Sequence, residues 1–277
     1  MTGREDEPDP EALMAEYIRN RGDIFEEWHF MARYVPRTVM LQHDASGYIL
    51  QNANKTTPDQ ELSVVMRELI ATAYLSAKGD QRFAANHVRR LYRLGVTSAV
   101  IFEAAEAIAP VVGHSTISHV ARSIMLANDP AYPFGVMPPG GEPKQLTPFP
   151  ELDIGREASE PPSSIAKDED WRDMAAIDPE LARRTAAFVD HCLAIGRKPT
   201  PLLGPGPRAL VAIAALCARG EAEIAARYIR RAYACGISRR KVLEAISVVY
   251  NMTGAVSVQI GIRAIRLAEA TGSLPQA

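Results

Sequence analysis

The 277-residue sequence has only three cysteines, Cys192, Cys217 and Cys235, and no two of them approach a CxxC spacing. An odd number of isolated thiols excludes a disulfide framework and a dithiol redox motif, and reads as small buried apolar residues. An excess of charge of one sign is also missing. Lys and Arg total 31 against 33 Asp and Glu, and a net charge of -2 gives no basic footprint for nucleic acid. No apolar run approaches the roughly 20 residues that a membrane helix needs. Few segments alternate apolar and polar residues as strands do. The acidic, proline-containing stretch from Met1 to Pro10 has neither the apolar core of a signal peptide nor the basic character of a transit peptide, so a cytoplasmic location is expected.

What is present is a repeat. Hydrophobic residues make up 47% of the chain and charged residues 23%, ordinary values for a protein that buries a core. Shifting the sequence by 141 residues places Arg67 on Arg208, Gly79 on Gly220, His87-Val-Arg-Arg90 on Tyr228-Ile-Arg-Arg231, Glu103-Ala104 on Glu244-Ala245 and Gly113 on Gly254. Further upstream the shift is 143, and Trp28, Met31, Ala32 and Pro36 fall on Trp171, Met174, Ala175 and Pro179. Between the copies, prolines crowd residues 133–164, including Pro138-Pro139, Pro148, Pro150 and Pro161-Pro162. Proline removes a backbone donor and fixes φ, so this segment reads as an extended linker that wraps one copy before entering the next. The expected division is a tail over 1–15, a first repeat over 16–132, the linker over 133–164 and a second, degenerate repeat over 165–272.

Within one copy the apolar spacing is helical. Thr57-Pro58-Asp59-Gln60 has the composition of a helix start, and Leu62, Val65, Met66, Leu69, Ile70 and Ala73 continue it at i, i+3, i+4 spacing. Gly79 ends that helix. A second helix is expected from about Asp80 to Leu94 with Gly95 as its stop, a third over Ser98 to Val112 and a fourth from near Thr116. One or two more lie around Trp28 to Ala32 and Thr38 to Leu50. The fold class is therefore all-α, two tandem helical repeats in one chain that form a pseudo-dimer.

Among the six histidines, His29, His43, His87, His114, His119 and His191, His87 is the informative one. It lies within the apolar stripe Phe83, Leu91, Leu94, which implies partial burial, and imidazole suits proton transfer near neutral pH. The bland alternative is a core histidine bonded to a neighbour. Copy two has Tyr228 in its place and Ala209 in place of Glu68, so copy two reads first as a packing partner. By the 100° per residue rule Glu68 falls about 130° from the centre of its helix's apolar stripe, which makes it a residue of a solvated face unless another subunit or copy covers it. Arg67, Arg82, Arg89 and Arg90 cluster on the same helices, and most of them read as ion-pair residues. His114 and His119 have no counterparts in copy two. No spacing of these groups matches a metal motif, and neither a metal nor an organic cofactor is expected.

Arg67-x-Leu, Gly79, Phe83, His87-Val-Arg-Arg, Gly95-Val-Thr, Phe-Glu103-Ala and Val-Val-Gly113 together resemble the carboxymuconolactone decarboxylase family, in which an arginine-led helix, a short turn and a histidine-bearing helix follow one another. Its sister branch, the alkylhydroperoxidase D-like proteins, carries a CxxC four residues before the histidine and a glutamate twelve residues ahead of the first cysteine. Here those cysteine positions hold Asp80 and Phe83, and Glu221 and Ile224 in copy two, so a thiol-dependent peroxidase is rejected; Glu68 holds the glutamate position. The resemblance implies a lyase-like, cofactor-free enzyme that moves protons on a small carboxylate-bearing or lactone compound, by decarboxylation, isomerisation or lactone opening. It implies His87, Glu68 and Asp80 as catalytic residues, and His114, Arg67, Arg82 and Tyr228 as substrate-binding residues. It also implies a homo-oligomer, expected as a trimer of tandem chains, with no nucleic-acid or membrane partner. A non-catalytic assembly or ligand-binding module is the alternative, and redox activity through Cys217 or Cys235 a third reading.

Overall fold

A computed structural model describes residues 8–21, 25–51, 59–132, 141–157, 163–197 and 200–270. The described residues are helices and turns without a strand. Copy one holds α1 (Pro10–Arg21), α2 (Glu26–Tyr34), α3 (Pro36–Leu50), α4 (Val64–Ala77), α5 (Gln81–Arg93), α6 (Ser98–Val112) and α7 (Ser115–Asn128). After a single 3-10 turn at Ile165–Lys167, copy two holds α8 (Glu169–Ile177), α9 (Pro179–Cys192), α10 (Pro205–Arg219), α11 (Ala222–Ala234), α12 (Arg239–Val248), α13 (Tyr250–Thr253) and α14 (Ala255–Glu269).

Two sequence expectations need correction. The helix expected to open at Thr57–Gln60 opens at Val64; Gln60 is not helical, and Thr57 and Pro58 lie outside the described residues. Ser63 is the cap, its Oγ accepting from Met66 N at 3.2 Å, a bond that satisfies one of the first-turn donors a helix leaves open. The tail expected over 1–15 is helical from Pro10, because Leu13, Met14 and Tyr17 pack with Ala32 and Val39 in a small separate apolar cluster. Residues 1–7 lie outside the described residues.

α4 and α10 are apolar around most of their circumference, and each is buried along nearly its whole length at the centre of the molecule. Between them runs a reciprocal set of polar contacts. Arg67 Nη2 pairs with Glu244 at 2.7 Å, and Arg208 Nη2 pairs with Glu103 at 2.9 Å. Glu244 accepts from Leu62 N at 2.8 Å; Glu103 accepts from Leu203 N at 2.6 Å. Arg67 donates to Leu62 O and Ile49 O, while Arg208 donates to Leu203 O and Cys192 O. Every partner in one set is the repeat mate of its partner in the other, so the two halves face each other across a pseudo-two-fold axis. Gln51 and Ala194, the two non-glycine residues with positive φ among the described residues, also share one repeat position, just past α3 and α9.

The inter-copy segment does not wrap one copy, as expected, but straps both. Thr147 N donates to Gly95 O in copy one, and Gly204 N and Gly206 N of copy two donate to Leu152 O and Ile154 O. Glu151, fully buried, accepts from Ser63 N at 3.0 Å and from Ser63 Oγ at 2.5 Å, with Lys241 Nζ at 3.5 Å. The strap lies so close to copy two that a side chain at Gly204 would meet Ile154 O at 2.8 Å.

Arg67 is 1% exposed, and removing one partner of a buried ion pair strands the other charge away from water. Arg67→Met is expected to lower the unfolding free energy by about 3–5 kcal/mol, whereas Arg67→Met combined with Glu244→Leu recovers a large part of that loss. Urea unfolding followed by circular dichroism checks both, and an additive double variant would show that the pair carries no coupling.

Candidate functional site

α4 and α5 run antiparallel and bring three charged side chains together. His87 Nδ1 lies 2.6 Å from Glu68 Oε2, and Arg90 Nη1 donates to Glu68 Oε1 at 2.6 Å. Arg90 Nη2 in turn reaches Leu50 O at 3.2 Å and Gln51 O at 2.8 Å, at the end of α3. Glu68 has no solvent exposure, while the His87 side chain keeps 17%. The expectation of a solvated face for Glu68 is thus wrong. The angle from the apolar stripe is sound, but α4 sits at the centre of the molecule, and α5 covers the face that an isolated amphipathic helix would show to water.

This arrangement fixes the imidazole. A buried carboxylate beside Nδ1 accepts that nitrogen's proton in a hydrogen bond, and Nε2 is left at the exposed side of the ring. Two charge-assisted bonds to the two oxygens of one carboxylate also fix the carboxylate itself. The result is a chain from main-chain carbonyls through Arg90 and Glu68 to one imidazole, held by packed helices.

The other residues expected at the site divide between those near α5 and those used elsewhere. Asp80 does not reach His87; it caps α5, accepting from Phe83 N at 3.3 Å. Arg67, expected to bind substrate, neighbours Glu68 in sequence but faces the other copy, donating to Glu244, Leu62 O and Ile49 O. Arg82 hydrogen-bonds Glu27 and lies over the Phe25 ring, 4.0 Å from its centroid, while Phe25 packs edge-on against Phe83. His114 is exposed ahead of α7, and His119 bonds Ser76 O at 3.0 Å, while His87 bonds Glu68.

Tyr228, the mate of His87, is not brought to the cluster either. Burial pushes its phenol up to about 12. The mate of Arg90, Arg231, lies 5.7 Å from the Tyr228 ring centroid and pairs with Asp168 at 2.8 Å. A carboxylate from the start of α8 thus stands in for the one that Ala209 lacks. The three cysteines are buried, and burial pushes Cys192 and Cys217 up to about 12 and Cys235 to about 11, so none is a ready thiolate.

Arg90 is the residue that sequence reasoning passed over. Its spacing carried a signal, since i+3 on a helix puts it beside His87. Its recurrence as Arg231, where no histidine precedes it, pointed instead to a surface or interface role.

Comparisons with known proteins place the cluster. Residues 47–124, which contain Glu68, His87 and Arg90, match the sequence model of the Carboxymuconolactone decarboxylase family. No curated protein matches the chain. Among solved structures, one from Burkholderia xenovorans LB400, described as a gamma-carboxymuconolactone decarboxylase subunit, superposes with a TM-score of 0.56 at 17% identity, covering 96% of this chain and 100% of that one. At that identity the likeness bears on the fold.

The two bonds to Glu68 share one buried carboxylate, so their energies are not independent. Glu68→Gln and Arg90→Met are each expected to destabilise the chain. Their combination should fall short of the summed losses by about 1–3 kcal/mol in a double-mutant cycle of urea unfolding; additivity would mean that the carboxylate does not join the two side chains.

Proposed function

We propose, on the premise that residues 47–124 belong to the carboxymuconolactone decarboxylase family, that this chain is a cofactor-free enzyme of the lyase type in which His87 transfers a proton on a small carboxylate-bearing or lactone substrate. The contact that carries the reading is the 2.6 Å bond from His87 Nδ1 to the fully buried Glu68. It supports Nε2 as the nitrogen that meets the substrate and Glu68 as the group that orients the ring. Arg90 is a positioning residue that acts through Glu68. Asp80 is assigned to capping and Arg67 to the copy interface. Arg82, five residues before His87 and half-exposed, is the cation on α5 proposed to meet a substrate carboxylate.

In a decarboxylation the bond from carbon to the substrate's carboxylate breaks, CO₂ leaves, and the electron pair enters a conjugated enolate. The proton at Nε2 then passes to the far carbon of that enolate, and solvent reprotonates the ring. Isomerisation uses the same nitrogen first as base and then as acid. The protein's part is a fixed imidazole beside a polarised substrate, which is proximity and orientation rather than covalent chemistry.

The reading extends to assembly. Phe30, Tyr34, Leu41 and Tyr48 are exposed on α2 and α3, and Ile177, Leu181 and Phe188 on α8 and α9. Tyr34 and Ile177 occupy the same repeat position, so both halves offer an apolar face at corresponding places. Such faces support a homo-oligomer built as a trimer of tandem chains. Among the described residues no helix is long and apolar enough to cross a membrane, and a cytoplasmic location accompanies this proposal.

A panel of lactone acids and unsaturated dicarboxylates, assayed for CO₂ release and for deuterium uptake from D₂O, tests the chemistry. His87→Ala is expected to lower turnover by about 10²–10⁴-fold with the circular dichroism spectrum unchanged; unchanged turnover removes the catalytic reading and leaves the assembly module. Light scattering is expected to give three times the chain mass, and a stable monomer contradicts the trimer.

A further inference from the structure

We propose that copy two carries a second, separate binding site: a cavity under the strap that takes a small organic monocarboxylate. The cavity, about 210 Å³, lies between Gly155 and Arg156 of the strap, the turn after α9 at Ala194, Ile195 and Arg197, and Pro205 at the start of α10. None of these residues belongs to the His87 cluster.

Its origin is a difference between the copies. In copy one the corresponding positions are filled by two paired amides, Gln51 Nε2 donating to Gln60 Oε1 and Gln60 Nε2 donating to Tyr48 O at 3.0 Å. The repeat mates of Gln51 and Gln60 are Ala194 and Pro201, both of which line the cavity. Two long polar side chains are thus replaced by a methyl group and a proline ring, and the backbone around them is kept, with φ 54 at Gln51 and 61 at Ala194.

The lining defines the ligand. Arg197 donates through Nη1 to Glu106 at 2.6 Å, and its Nε and Nη2 have no protein partner among the described residues. Arg156 uses Nη2 on Leu202 O and Nε on Asp153, leaving Nη1 without one. Glu106 and Asp153 balance these two cations formally, but Asp153 is 71% exposed, so water screens its charge more than those of Arg156 and Arg197, at 25% and 18%. The start of α10 does not supply donors: Pro205 and Pro207 have no N–H, and Gly206 N is spent on Ile154 O. The arginine edges are therefore the anion-binding groups, and a free guanidinium edge fits the two oxygens of a carboxylate. Ile195, Pro201 and Pro205 offer an apolar wall to the rest of the molecule.

The probe is 4-fluorobenzoate, followed by ¹⁹F NMR titration on the full chain, with 4-fluorobenzamide as the uncharged match. The expected result is saturable binding of the acid that persists in His87→Ala. It should weaken about tenfold or more for the amide or on Arg156→Gln, and vanish in Ala194→Gln, which restores the copy-one residue at a backbone conformation that glutamine already adopts there. Melting temperature checks that each variant folds; if Ala194→Gln fails that check, Arg156→Gln and the amide decide. The proposal is overturned by absence of saturable binding in the parent chain, by equal binding of acid and amide, by indifference to Arg156→Gln or to folded Ala194→Gln, or by loss of binding in His87→Ala. Because His87→Ala is the arm that abolishes the proposed proton transfer, failure of one reading leaves the other standing.

Discussion

Two buried guanidiniums, Arg67 and Arg208, each reach across to a glutamate of the opposite copy, and the rest of the structure depends on that exchange. A charge that has left water needs a partner of fixed geometry, and Arg67 donates to one carboxylate and two main-chain carbonyls. The rotation of α4 about its own axis follows. With Arg67 turned toward copy two, the next residue, Glu68, turns about 100° away and meets α5. The contact between copies and the contact between Glu68 and His87 are thus two consequences of one helix register.

That coupling explains why a degenerate copy is retained. Copy two has lost the histidine and the glutamate but keeps Arg208, Glu244 and the backbone turns around them. These are the groups on which copy one's α4 rests. Arg208 and Glu244 of copy two are therefore tied to what they do for copy one, whereas Tyr228 lies beside Arg231 of its own half. The buried phenol of Tyr228, pushed up to about 12, stays protonated through the neutral range and contributes packing rather than proton transfer.

The sequence made the repeat and most helices legible because periodicity and glycine stops are local signals, as α6 at Ser98–Val112 shows. It misplaced the opening of α4, where Ser63 caps and Gln60 is not helical, since a capping pattern does not by itself fix where the helix starts. It misplaced Glu68 for a different reason: a hydrophobic stripe predicts one buried face, and a helix enclosed from several sides buries its polar face as well. The strap's contacts with both copies were not legible at all. Glu151 and Leu152 fall in the proline-rich stretch read as an extended linker, and only the three-dimensional meeting of α4 and α10 gives them partners.

The arginine that follows His87 three residues on shows how a repeated residue can mislead. Arg90 and Arg231 share a position, and each ends on a carboxylate, but Arg90 finds Glu68 on α4 and Arg231 finds Asp168 at the start of α8. An arginine placed one turn along a buried helix face needs such a partner in either copy, whatever chemistry stands nearby. What differs is where the carboxylate sits. On α4 it lies within reach of both the guanidinium and the imidazole, and the ion pair that the fold requires also orients His87. Ahead of α8 it pairs with the guanidinium, and no imidazole stands at the mate of His87. In this molecule the step from structural ion pair to candidate site is the placement of one carboxylate on α4 and one imidazole beside it.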